Sequence, residues 1–143
     1  MVPLFQLNRI NHICFDVECI EAAVTLYHSF LGVPCKGINT MELEQGAGLV
    51  KTAFFDLGNC SIELAEHHLP PSWGQTPLKT PPGFHHIAFE TPSFDKTLRQ
   101  LSGQGVNPLP EFPLKTPHGW VAFLDPQQTG GILYELAEKG MSS

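Results

Sequence analysis

The chain has 143 residues, 42% of them apolar and 15% charged, with a formal net charge of -6. These are the proportions of one ordinary globular domain, or of two small halves sharing a core. The charge leaves no electrostatic footprint for nucleic acid, there is no basic amphipathic stretch for a membrane surface, and no apolar run nears the roughly 20 residues of a membrane-spanning helix.

The opening stretch "MVPLFQLNRI" has neither a charged leading region nor a cleavable apolar core, so the cytoplasm is the expected compartment. Residues 10–17 alternate as a strand does, and within "HICFD" His12, Cys14 and Asp16 share one face while Ile13 and Phe15 take the other. A helix follows from about Ile20 to Leu31, with Ala23, Leu26, Tyr27 and Phe30 at helical spacing and Gly32 as its stop. Two apolar runs, Leu49–Leu57 and Cys60–Ala65, flank "GN", a hairpin signal. The stretch "HHLPPSWGQTPLKTPPGF" at 67–84 reads as a linker with no helix or strand of its own, and His67 and His68 as solvated loop residues.

The second half repeats this order. It has a strand at 84–91, a helix from Ser93 as N-cap to about Ser102, and strands near 119–124 and 131–137. The opening phrases match almost letter for letter, "HICFD" against "HIAFE", and so do the closing ones, "SIELAE" against "LYELAE". An internal duplication of this kind redefines the architecture. The expected fold is α+β, with βαβββ modules at 8–66 and 83–138 joined by a Pro-rich linker at 67–82 in one domain.

The duplication carries chemistry. Each first strand holds a histidine, His12 or His86, and each last strand a glutamate, Glu63 or Glu135. Alternation puts these four opposite the apolar face that a helix covers. Related by a pseudo-twofold, they would face one cavity in an eight-stranded cup. Two imidazoles and two carboxylates suit a borderline divalent ion with positions left open for water or substrate. Burying such carboxylates with no ion or partner would be costly. The four cysteines form no C-x-x-C pair and read as buried or half-buried thiols, not a zinc ribbon or redox motif.

These motifs resemble the vicinal-oxygen-chelate superfamily, and within it the methylmalonyl-CoA epimerases, through "EQG" at 44–46, "DLGNCSIEL" at 56–64, "GFHHIAFE" at 83–90 and "VAFLDPQQTGGILYEL" at 121–136. The resemblance implies that His12, Glu63, His86 and Glu135 hold a divalent ion such as Co, Ni, Mn, Zn or Mg. It implies that Glu44 and Glu135 move a proton next to a metal-bound carbonyl, that the substrate is a small carbonyl compound such as an acyl-CoA, and that the chain is a homodimer. His85 has the wrong phase for the same face as His86 and is expected to be structural. Trp120 stands where the epimerases often carry a basic residue and is expected to border the pocket. The alternatives are a glyoxalase I-like lyase acting on a hemithioacetal and a non-catalytic drug-binding protein. Members of the latter kind usually lose the ligands, and the four are kept here.

Overall fold

The computed structural model describes Leu7 and residues 9–138. Two compact units emerge. One runs from His12 to His85, and among the described residues the other joins those up to Asn11 to residues 86–138. Among the described residues no helix is long and apolar enough to cross a membrane.

Each half of the chain is a βαβββ module. The first is β1 (Arg9–Asp16), α1 (Ile20–Leu31), β2 (Cys35–Leu43), β3 (Gly48–Asp56) and β4 (Ser61–His68). The second is β5 (Gly83–Thr91), α2 (Phe94–Gly103), β6 (Leu114–Thr116), β7 (Gly119–Phe123) and β8 (Tyr134–Glu138). Strand order is β2-β3-β4-β1 in the first and β5-β8-β7-β6 in the second. In both, the first strand runs parallel to the last, and the three strands after the helix form antiparallel meanders.

The two helices cover equivalent sheet faces. In the first module Ile20, Ala53, Phe55 and Leu64 are buried together, with Phe15, Ala23, Val24, Tyr27 and Leu31 packed around them. In the second, Phe94, Ala122 and Leu136 form the buried core, joined by Leu98 and Leu101. Of the expected apolar stripe on α1, Leu26 and Phe30 are instead exposed. Their spacing is helical, but the buried stripe is centred on Ile20, Val24 and Tyr27.

Glycine ends α1 as expected. Gly32 adopts φ 73°, and its N–H donates to the His28 carbonyl at 3.1 Å, a left-handed stop that costs glycine little. At the other end Cys19 offers no side-chain cap. Glu66 of β4 supplies it, accepting from the Ile20 N–H at 3.0 Å. Ser93 does occupy the N-cap position of α2, yet its side chain makes no cap bond.

Two expected boundaries move. The linker begins later, because β4 continues through His68, where Val50 pairs with His67 and Leu49 with His68. A short 3-10 turn at Pro71–Trp73 follows. The last strand starts at Tyr134 rather than 131, because Gly130 and Gly131 take φ of 75° and 87° and close a turn onto Pro126. Cys19 is exposed, while Cys14 is buried and Cys35 and Cys60 are half-buried.

Candidate functional site

In the first module β1 and β4 pair in parallel with Cys14 beside Glu63. His12, Glu63, Asp16 and His67 therefore share the face that α1 leaves uncovered. His12 Nε2 lies 3.2 Å from Glu63 Oε1, with the side chains 2% and 11% exposed. The edge of the His12 ring meets Phe54 at a centroid distance of 5.5 Å, and Phe54 is the cross-strand partner of Glu63.

The second module builds the same unit. Ala88 pairs with Glu135, and His86 Nε2 lies 3.3 Å from Glu135 Oε1, both side chains being buried. Phe123 is the cross-strand partner of Glu135 and stands edge-on to His86 at 4.8 Å. The structure thus brings His12 to Glu63 and His86 to Glu135, each pair beside a phenylalanine. The two phenylalanines went unread in the sequence, although "TAFFD" at 52–56 and "VAFLD" at 121–125 place them at matching positions of the duplication.

Each pair offers one neutral imidazole nitrogen and one anionic carboxylate oxygen, both lone-pair donors of the kind that hold a divalent ion. The cost of burying each carboxylate is offset in part by its imidazole, and an aromatic ring packs against each imidazole. The donor chemistry fits a metal.

Glu44 lies in a 3-10 turn after β2, with Glu44 and Gln45 in the left-handed region at φ 45° and 55°. Its carboxylate is gripped by the chain beyond β4. The Trp73 indole N–H donates to Oε1 at 2.8 Å, and the Ser72 hydroxyl donates to Oε2. The Pro-rich segment read as a bare linker is therefore a partner of the expected acid–base residue.

Three other expectations are resolved. His85 is buried, and its Nε2 lies 2.6 Å from the Leu78 carbonyl. His67 is not a solvated loop residue. It is a half-buried strand residue whose Nδ1 lies 2.7 Å from Asp16 Oδ1, because β4 extends further than its apolar run. His68, in the same strand, is exposed and hydrogen-bonded to Glu66 at 2.6 Å. Trp120 does not share a face with Glu135. It alternates with Val121 and Phe123 and falls on the α2 side with Ala122, partly exposed and with Lys115 Nζ 5.5 Å from its ring centroid. Trp120 therefore does not border the face that carries Glu135, contrary to expectation.

Tandem βαβββ modules with a histidine on the first strand and a glutamate on the last define a class of protein, and the match of residues 11–123 to its family model makes the chain a member of the glyoxalase/bleomycin resistance protein/dioxygenase superfamily. Among its relatives is the uncharacterized protein YqjC of Bacillus subtilis, 33% identical over 92% of this chain and 93% of the relative. Another is the mitochondrial methylmalonyl-CoA epimerase of Homo sapiens, 30% identical over 94% of this chain and 76% of the relative. The crystal structure of methylmalonyl-CoA epimerase from Mycobacterium tuberculosis shares the fold, with a TM-score of 0.75 at 24% identity over 96% of this chain and 92% of that one.

Proposed function

We propose that this protein is a metal-dependent enzyme that removes and returns a proton beside a carbonyl, as an epimerase of the methylmalonyl-CoA type. One observation carries the reading: the buried His–Glu pair occurs twice, at equivalent strand positions, as His12–Glu63 and His86–Glu135. Relatives about 30% identical that act as methylmalonyl-CoA epimerases support the substrate class.

In this proposal His12, Glu63, His86 and Glu135 together hold one divalent ion. A bound ion of this kind polarises a substrate carbonyl and so acidifies the adjacent C–H. Epimerisation then needs a proton acceptor on one face of that carbon and a donor on the other. Glu44 and Glu135 take these roles, Glu135 as a loosely held ligand. Trp73 and Ser72 hold the Glu44 carboxylate in place, and Phe54 and Phe123 pack against the two imidazoles.

Two measurements test this. Metal analysis of the purified protein should find one divalent ion per chain. Incubation in deuterated water with methylmalonyl-CoA should exchange the proton on the carbon between its two carbonyl groups. Turnover of hemithioacetals without that exchange would make the protein a glyoxalase-type lyase instead. Absence of both metal and exchange would reject the enzyme.

A further inference from the structure

The phrase opening each module ends in an acid, Asp16 in "HICFD" and Glu90 in "HIAFE", and the metal reading uses neither. Each lies four residues beyond its histidine and on the same face. In the second module the acid is neutralised, because the Arg9 guanidinium donates to Glu90. In the first, Asp16 Oδ1 meets His67 Nδ1 at 2.7 Å, with 14% and 11% of the two side chains exposed. At this matched position the two modules diverge.

An ionised carboxylate only accepts hydrogen bonds, so beside one a neutral His67 ring carries its proton on Nδ1 and presents a lone pair at Nε2. A second restraint fixes the ring plane. His67 stacks on His85, centroids 4.5 Å apart and planes 18° from parallel, and His85 is itself held by the Leu78 carbonyl. Tautomer and orientation are thus both set, while Nε2 has no hydrogen-bond partner among the described residues.

We propose that His67, oriented by Asp16, is a specificity residue whose Nε2 accepts a hydrogen bond from an N–H of the substrate's arm. Four residues separate His12 from Asp16 and Glu63 from His67, about 13 Å along the strands. That separation is too long for His67 to act on the reacting carbon and suits a group further along the molecule. The chemistry recognised is a thioester whose thiol portion carries secondary amides, which coenzyme A and glutathione both provide. The inference rests on the proposed function only in placing the carbonyl at the His–Glu pairs.

The test uses histidine-labelled holoprotein and nitrogen NMR, with His67 assigned by its loss in His67→Phe. The free protein should show His67 protonated at Nδ1, and propionyl-CoA should move its Nε2 resonance upfield on saturation. His67→Phe, which keeps the stack, should weaken propionyl-CoA binding about tenfold with metal content unchanged, and Asp16→Asn should release the tautomer and weaken binding similarly. A response to S-lactoylglutathione in place of propionyl-CoA would assign the arm to glutathione and keep the contact. An Nε2-protonated ring in the free protein overturns the proposal, as does equal affinity in wild type and His67→Phe, or no binding of either thioester. A shift with propionyl-CoA alongside absent proton exchange would sink the reaction and leave this contact standing.

Discussion

His85 and His86 are neighbours in sequence and both buried, yet they have different partners. His86 faces Glu135, whereas His85 is tied to the Leu78 carbonyl. Replacing His86 by alanine should therefore abolish metal binding, while His85→Ala should leave the stoichiometry unchanged, as read by metal analysis of the purified variants. Equal losses would mean that both histidines are ligands. At Glu44 the expected result separates binding from chemistry. Glu44→Gln keeps the shape and an acceptor for Trp73 but removes the proton acceptor, so deuterium exchange should fall by about 100-fold or more with metal content intact. Unchanged exchange would remove Glu44 from the mechanism.

At the scale of elements, α1 depends on a residue outside it. Glu66 accepts from the Ile20 N–H, the role an N-cap side chain normally plays, and losing such a cap costs about 1 kcal/mol. Its carboxyl is held below the ordinary glutamate value, first by the hydrogen bond from His68, then by the Ile20 N–H and by Lys51 nearby. A group whose folded pKa is depressed stabilises the fold above its unfolded pKa and loses that contribution as pH falls through the folded value. Wild-type stability should thus decline on acidification below the usual glutamate range. Glu66→Gln should be less stable than wild type at pH 7, with the difference shrinking at low pH in denaturant titrations. A difference that grows with acidity would contradict this. Gly48 has another role at the start of β3. A Cβ there would stand 2.6 Å from the His68 carbonyl oxygen and 2.7 Å from Pro70. Gly48→Ala should destabilise by about 1–3 kcal/mol, measured by thermal melting, by pushing away the segment that carries Ser72 and Trp73.

For the whole molecule, a ligand that binds only the folded chain raises its stability with the logarithm of its concentration relative to Kd. If the two His–Glu pairs hold one ion, saturation at 100 times Kd adds about 2.7 kcal/mol. Chelation should then lower Tm, and readdition of the ion should restore it. His86→Ala should melt at the same temperature with or without chelator. A melting point indifferent to chelator in the wild type would argue that the pairs are structural.

Much of this architecture was legible because the chain states it twice. The matched phrases mark the two modules, and strand alternation singles out His12, Glu63, His86 and Glu135. The strands β2 and β6 were not placed, since each lies at the outer margin of its module's sheet. β2 is mostly exposed and β6 is three residues long, so neither carries an apolar period. What lay beyond reach was long-range. The 51-residue separation of Asp16 and His67, the grip of Ser72 and Trp73 on Glu44, and the side of the sheet on which Trp120 falls all depend on strand register. Period and propensity act between near neighbours and determine which residues share a face. Only the pairing of distant strands decides which of them meet.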